Sequence, residues 1–323
     1  MTDTLVMNDI TKRFGTRKAP IWALAGVSLS VGIGETLGVV GESGSGKSTL
    51  ARIAVGLEAA TTGEARLMGE PISSHSVVGR AQMVFQDPGS SLDPLLRIQR
   101  SVMEPLEQTP DTPRMWRSRA ADILSEVGLS GAFRERRPAE MSGGQKQRAS
   151  IARALAALPP FLVCDEAVTA LDVSVRAQIL NLLRRIQKHN TTSLLFISHD
   201  LCTVAYMSDR IAVMYLGKVV EIGPSRSVFT APGHPYGWAL LSAVPALQQG
   251  SAAIPRIRLQ GDPPSVARPP SGCRFHTRCP LAVERCAAEE PLPREVGEGH
   301  QVACHFAPVP HAAMQAAAKR EAA

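Results

Sequence analysis

Residues 39–49 place glycines, a lysine and a hydroxyl side chain at the spacing GxxxxGK[ST], which is typical of a phosphate-binding loop. The apolar residues just before it predict a buried strand, and the run from Lys47 onward predicts a helix. The glycines let the backbone curl until its N–H groups face phosphate oxygens beside the positive end of the helix. We expect Lys47 to reach the outer phosphates of a nucleotide and Ser48 to ligate magnesium. The residues assigned to nucleotide binding here are Gly41, Glu42, Ser43, Gly44, Ser45, Gly46, Lys47, Ser48 and Thr49.

Two acids follow a second apolar run, at residues 161–164. A carboxylate at such a strand end, here Asp165, anchors magnesium, and Glu166 after it would project toward the terminal phosphate and polarise water. A helix-capping pair is the alternative interpretation of the two acids. His199 also follows a predicted strand, although a lone histidine is more often structural than catalytic. Phe14, isolated in a basic segment, either packs or stacks on an adenine ring.

The elements that position these residues follow an α/β pattern. Apolar strands alternate with amphipathic helices over residues 1–222, which predicts a mainly parallel sheet with helices on both faces. Helical spacing within about 88–158 predicts an inserted helical subdomain. A Pro- and Gly-rich composition predicts a small accessory domain over 223–306, and the Ala-rich tail, 307–323, is expected to fray.

Composition excludes several classes of protein. The chain has 323 residues and is 44% hydrophobic, which is enough for a globular core. No apolar run approaches the roughly 18 residues that span a bilayer, and the first residues lack signal-peptide features, so we expect a cytoplasmic chain. The net charge of +6 is not gathered into a basic block and aromatics are only 4%, so we expect no nucleic-acid partner.

The order of the motifs resembles that of the ATP-binding cassette (ABC) ATPases, whose signature is LSGGQ. Met141 replaces the leucine of that signature, a change that conserves packing, and Ala167 stands where the family usually has proline. The resemblance covers residues 5 to about 222. In chain order, the motifs are the phosphate loop, Gln86, Ser142-Gly143-Gly144-Gln145, Asp165-Glu166, Ala170-Leu171-Asp172 and His199.

The resemblance implies a P-loop ABC ATPase core, with an antiparallel β edge subdomain and a helical insert, whose ATP site is shared between two cassettes. The phosphate loop of one cassette would face Ser142, Gly143, Gly144 and Gln145 of the other, at a helix N-terminus. The implied roles are magnesium binding by Ser48, Gln86 and Asp165, water activation by Glu166, a bridge from His199 to the partner through Asp172, metal sensing by Gln86 and adenine stacking by Phe14.

The C-terminal region resembles the accessory domain of oligopeptide/dipeptide importer ATPases, at residues 233–236, 240–245, 261–264 and 272–276. This implies the ATPase subunit of a bacterial peptide importer, on the cytoplasmic face of the cell inner membrane. The implied partners are a second ATPase subunit, identical or paralogous, two membrane permease subunits and an extracytoplasmic substrate-binding protein. The alternatives are import of nickel or an opine, and a soluble ABC ATPase of translation or DNA repair, which the single phosphate loop and single SGGQ disfavour.

Four cysteines gather near the C-terminus: Cys273, Cys279, Cys286 and Cys304. In a cytosolic chain such a cluster favours a metal over disulfides. The intervals do not match the CxxC pairs of a zinc ribbon. Four thiolates can hold an iron–sulfur cluster, and the family resemblance favours a four-iron four-sulfur cluster here. Zinc and unligated thiols are the alternatives.

Overall fold

The structure is a computed structural model that describes residues 3–16, 19–244 and 256–322. Its strands form two sheets. They are β1 (Leu5–Thr16), β2 (Ala19–Val31), β3 (Thr36–Val40), β4 (Thr62–Leu67), β5 (Glu70–Pro71), β6 (Ala81–Val84), β7 (Phe161–Asp165), β8 (Ser193–Ile197), β9 (Arg210–Tyr215), β10 (Lys218–Pro224), β11 (Arg294–Gly297) and β12 (His300–Val302).

The larger sheet has the order β11-β12-β10-β9-β3-β8-β7-β6, and the smaller, antiparallel sheet has the order β2-β1-β4-β5. In the larger sheet β9, β3, β8, β7 and β6 are mutually parallel, with Leu37 opposite Leu195. Strands β3, β7 and β8 are buried along their whole length, as expected for strands covered on both faces. The predicted α/β architecture is confirmed, and the carboxyl ends of five parallel strands meet at one edge.

The helices pack on this framework. They are α1 (Lys47–Ala54), α2 (Ile98–Met103), α3 (Pro113–Glu126), α4 (Gly143–Ala156), α5 (Val173–Asn190), α6 (Leu201–Met207), α7 (Ser225–Thr230), α8 (Pro235–Ser242), α9 (Glu284–Ala288) and α10 (His311–Ala322). The elements α2, α3 and α4 lie between β6 and β7 and contact one another, which places a helical insert in that connection. Within the described residues, no helix combines the length and apolar character needed to cross a bilayer.

The region after residue 222 is joined to the core by backbone pairing. Strand β10 pairs antiparallel with β12, so that Glu221 lies opposite Val302, and β11 extends the same sheet. The buried Glu221 carboxylate accepts the N–H groups of Gly233 at 2.7 Å and His234 at 3.0 Å, and lies 2.8 Å from Nε2 of His300. The predicted boundary at 222 thus falls inside β10, which pairs with β9 of the core on one side and with β12 of the accessory region on the other.

The Ala-rich tail is helical where we expected fraying. Helix α10 packs near α8: the rings of Trp238 and His311 stack with centroids 4.8 Å apart, and Trp238 Nε1 donates to the Val309 carbonyl at 2.9 Å. Met314 is fully buried. Alanine has the highest helix propensity, and Met314 gives the helix an apolar contact, which together account for the helix. Of the segment 240–245, residue 245 lies outside the described residues.

Candidate functional site

The phosphate loop connects β3 to α1 and is in close contact with neighbouring backbone. Gly46 has φ +103°, and a Cβ there would lie 2.5 Å from the Ala23 carbonyl oxygen. At Gly41 a Cβ would lie 2.2 Å from the carbonyl oxygen of Met214. Larger residues at these two positions would push the loop away from β2 and β9, which explains the glycines.

Lys47 lies inside the curl of this loop. Its ammonium donates to the carbonyl of Gly41 at 2.7 Å and to the carbonyl of Glu42 at 2.9 Å, and the residue is only 6% exposed. Burial lowers the pKa of Lys47, while the carboxylates of Glu166, Asp165 and Glu42 act in the opposite direction. The loop therefore holds a buried cation ringed by acids.

Asp165 ends β7 and is almost fully buried. Burial raises the pKa of its carboxyl, and a hydrogen bond from the Ser48 side chain opposes that shift. Its Oδ1 has no hydrogen-bond partner within the described part of the chain. A hydroxyl beside a carboxylate with a free buried oxygen is a donor set that fits a hydrated magnesium ion, whose water could satisfy that oxygen.

Glu166 brings the three predicted catalytic side chains together. Its backbone has φ +48°, and its N–H donates to the carbonyl of Ile197 on the neighbouring strand at 3.0 Å. Glu166 Oε2 lies 3.4 Å from Gln86 Nε2 and 3.4 Å from His199 Nδ1. A left-handed backbone at a residue other than glycine costs free energy. In this conformation the Glu166 carboxylate points toward both side chains.

Glu166, Gln86 and the phosphate loop border a cavity of about 350 Å³. Phe14 lies at its edge, 39% exposed, with the Lys12 ammonium 5.0 Å from its ring centroid. Val266, from the accessory region, also lines the cavity, and no motif in the sequence indicated it. The lining residues are Phe14, Ala23, Ser43, Gly44, Gly46, Lys47, Ser48, Thr49, Gln86, Glu166 and Val266.

Other predicted nucleotide contacts lie elsewhere. The Ser142 hydroxyl caps α4 by accepting the Gln145 N–H at 3.3 Å. In turn, Gln145 Oε1 accepts the Ser142 N–H at 3.0 Å. Asp172 caps α5 by accepting the Val175 N–H at 3.0 Å. Ser142, Gly143 and Asp172 are exposed. Among the described residues that line the cavity, none comes from the SGGQ segment or from Asp172.

Two side chains of the accessory region contact the phosphate loop, and sequence reasoning missed both. Tyr236 accepts the N–H of Glu42 through its hydroxyl at 2.8 Å, and Arg278 pairs with the Glu42 carboxylate at 2.8 Å. Both contacts join residues almost two hundred or more positions apart in the chain. No local spacing could have revealed them.

The cysteines Cys273, Cys279, Cys286 and Cys304 lie in one neighbourhood. Burial raises the pKa of Cys273 to about 11 and that of Cys279 to about 12, and the other thiols add to both shifts. Backbone N–H groups bond to three of the sulfurs, including that of Phe306 to Cys304 Sγ at 3.4 Å. Within the described ranges, however, no three His, Cys, Asp or Glu side chains form a group that could hold a metal ion. The expected ligand set is thus assembled as a neighbourhood and not as a metal site.

Known proteins similar to this chain share both of its regions. The family described as "ABC transporter" matches residues 24–169, and "Oligopeptide/dipeptide transporter, C-terminal region" matches residues 220–286. A "Probable peptide ABC transporter ATP-binding protein y4tS" of Sinorhizobium fredii is 48% identical, over 90% of this chain and 84% of that protein. "Oligopeptide transport ATP-binding protein AppF" of Bacillus subtilis is 43% identical, over 94% and 97%.

The solved structures agree with these relatives. A "dimeric structure of a post-hydrolysis state of the ATP-binding cassette MJ0796 bound to ADP and Pi" is 28% identical with a TM-score of 0.65, covering 69% of this chain and 99% of that one. The identity and coverage of the relatives are high enough to settle the family. The chain belongs to the ABC transporter ATPases, in the group that carries the oligopeptide/dipeptide transporter C-terminal region.

Proposed function

We propose that this protein is the ATP-hydrolysing subunit of a bacterial importer for di- or oligopeptides, acting at the cytoplasmic face of the inner membrane. The observation that carries the substrate class is the match of residues 220–286 to the oligopeptide/dipeptide transporter C-terminal region. Relatives that are 43–48% identical are named for peptide transport, which favours peptides over nickel or an opine.

ATP binds in the cavity at the sheet edge. The N–H groups of the phosphate loop and the Lys47 ammonium bind the phosphates, and Phe14 stacks on the adenine ring. Ser48, Asp165 and the amide of Gln86 hold magnesium, which neutralises charge on the outer phosphates when bound. The Ser48 hydroxyl beside the Asp165 carboxylate, and the residues that line the cavity, support these roles.

Glu166 orients and polarises the water that attacks the terminal phosphorus, breaking its bond to the bridging oxygen of ADP. Gln86 and His199, each 3.4 Å from Glu166 Oε2, fix the direction of that carboxylate. His199 is 62% exposed, so its ring is accessible to the terminal phosphate and to a facing subunit.

A second cassette, identical or paralogous, completes the site. The SGGQ segment and Asp172 lie on the surface, away from the cavity of their own chain. Gly143 and Gly144 leave the N-terminus of α4 open for close approach of another chain's phosphates. The dimeric state named for the MJ0796 cassette supports this arrangement. Two permease subunits and an extracytoplasmic substrate-binding protein supply the translocation path and the peptide.

The cysteine neighbourhood is proposed to hold a four-iron four-sulfur cluster. The support is the sequence resemblance, the mutual proximity of the thiols and the backbone N–H groups bonded to their sulfurs. Cluster binding requires the thiols to lose protons and draw together, since among the described residues no three ligand side chains are placed closely enough to hold a metal ion. The cluster is a structural group, because it is not among the groups that border the ATP cavity.

Anaerobically purified protein is expected to contain about four iron and four sulfide per chain, and Cys279→Ser should lose most of both. Cys202→Ser is the matched control, because Cys202 is a half-buried cysteine outside the cluster. Iron and acid-labile sulfide analysis measures the content. Colourless, iron-free wild-type protein would show that the cluster proposal is wrong.

Asp165→Asn is expected to stabilise the nucleotide-free chain while weakening binding of Mg·ATP. Because burial raises the Asp165 pKa above its usual 3.8, the ionised carboxylate costs stability, and this cost grows as pH rises through the folded-state pKa. The gain should be about 1 kcal/mol at pH 8, about 2–4 °C in unfolding temperature, and should shrink toward pH 4.

Asp93→Asn is the control for that change, because Asp93 is an exposed aspartate that accepts one backbone N–H, from Leu95. Its unfolding temperature should change little with pH relative to wild type. Thermal unfolding followed by circular dichroism at both pH values measures the effect. A lower unfolding temperature for Asp165→Asn at pH 8 would contradict the burial argument.

Glu166→Gln is expected to abolish transport by the assembled complex, with ATP turnover reduced at least about 100-fold and ATP binding retained. The amide keeps the shape but cannot polarise water as a carboxylate does. Glu64→Gln, an exposed glutamate paired with Arg66, is the matched control. Turnover and uptake are measured in proteoliposomes containing the permease subunits.

The same proteoliposomes, given a panel of labelled solutes, test the substrate class. Uptake of di- or oligopeptides that depends on ATP and is lost in Glu166→Gln supports the proposal. Uptake of nickel or an opine instead of peptides would overturn the substrate class. Unchanged turnover in Glu166→Gln would overturn the role given to that carboxylate.

A further inference from the structure

Glu42, in the phosphate loop, is held at three points. Its carbonyl accepts the Lys47 ammonium at 2.9 Å, its N–H donates to the Tyr236 hydroxyl at 2.8 Å, and its carboxylate pairs with Arg278 at 2.8 Å. Two of these three partners come from the region after β10. The accessory region therefore contacts the loop that the family assignment identifies as the phosphate-binding element.

Both accessory side chains are fixed by their own surroundings. The Tyr236 ring is fully buried, with centroids 4.8 Å from that of Tyr215 and 5.4 Å from that of Phe275. The Arg278 side chain is only 8% exposed and also lies 3.4 Å from the Tyr215 hydroxyl. An ion pair in such a setting is screened far less than a surface pair, and its partners have little freedom to move.

The charge of Glu42 would oppose ATP binding if it stood alone. Its carboxylate lies near enough to Lys47 to influence that ammonium, alongside Asp165 and Glu166. An unpaired carboxylate here would compete with phosphate for the lysine and repel a triphosphate. Arg278 removes that competition by pairing with the carboxylate at 2.8 Å.

The Tyr236 hydroxyl has a separate effect on the loop. It accepts the hydrogen bond of the Glu42 N–H, which would otherwise have no partner. A partly buried N–H without a partner costs free energy. With this N–H held by Tyr236, the loop keeps the curl in which Lys47 reaches the carbonyls of Gly41 and Glu42.

We propose that Arg278 and Tyr236 are positioning residues of the ATP site, through which the C-terminal region sets the conformation and charge of the phosphate loop. The proposal rests on the function proposed above only in taking this loop as the ATP site. Arg278 ends the turn His276–Arg278, between Cys273 and Cys279, so the cysteine segment and the phosphate loop are joined by one side chain.

The test is a double-mutant cycle on the full chain, with binding of Mg·AMP-PNP measured by isothermal titration calorimetry. Arg278→Gln should raise the Kd at least about fivefold, because Glu42 is left uncompensated beside the phosphates. Adding Glu42→Gln to Arg278→Gln should recover most of the affinity that Arg278→Gln loses, because the uncompensated carboxylate is then gone. Loss of structure alone would not be rescued by neutralising Glu42.

Arg285→Gln is the matched control, because it removes an exposed arginine–glutamate pair, with Glu289, from the same region. Its Kd should stay within about twofold of wild type. Tyr236→Phe keeps the buried ring and removes only the hydroxyl, and should raise the Kd at least about threefold. If Arg278→Gln does not fold, Tyr236→Phe and Arg278→Lys replace it in the test. The Kd of Arg278→Lys is expected to lie between those of wild type and Tyr236→Phe.

A Kd within twofold of wild type for folded Arg278→Gln, or no rescue by Glu42→Gln, would overturn the proposal. Lys47→Ala separates this failure from failure of the proposed function. If Lys47→Ala abolishes binding while Arg278→Gln does not affect it, only the positioning role is wrong. If Lys47→Ala binds Mg·AMP-PNP as wild type does, the loop is not the ATP site, and both proposals fail.

Discussion

The buried Lys47 ammonium, surrounded by the carboxylates of Glu42, Asp165 and Glu166, is the interaction on which the rest of the site depends. A cation this deep in the protein is tolerated because acids surround it and loop carbonyls accept hydrogen bonds from it. The acids in turn carry more negative charge than one lysine can offset. Arg278 supplies part of the balance from the protein by pairing with the Glu42 carboxylate.

The parallel sheet explains why these charges meet. The carboxyl ends of β3, β7 and β8 lie side by side, so the residues that follow them share one edge. The accessory region is attached to the same sheet on its lateral side, because β9 lies beside β3 and pairs with β10, which in turn pairs with β12. The phosphate loop therefore has backbone contacts from the core on one side and Tyr236 and Arg278 on the other.

The sequence predicted those parts of the site that are local in the chain. The phosphate loop, Asp165 and Glu166 are each a short pattern next to an apolar strand, so their convergence followed from the parallel sheet. The contacts of Tyr236, Arg278 and Val266 depend on how distant segments pack, and no periodicity encodes them. The gathering of four cysteines near the C-terminus and the family resemblance predicted a shared ligand set, but the sulfur positions depend on side-chain packing that neither determines.

In the tail, composition suggested fraying, whereas the structure has a helix whose Met314 and Ala317 side chains are buried. Long-range packing, more than local pattern, also decides whether one chain contains a complete ATP site. Here Ser142 and Gln145 cap the SGGQ helix, and among the described residues none from that segment lines the cavity.

The claim that each chain carries half of an ATP site is tested most directly by ATP turnover per chain, compared between dilute isolated protein and the assembled transporter complex at saturating Mg·ATP. We expect the isolated chain to bind ATP but to turn it over at least about tenfold more slowly, because the facing SGGQ donors are missing. Equal turnover per chain in the dilute monomer and in the complex would contradict it.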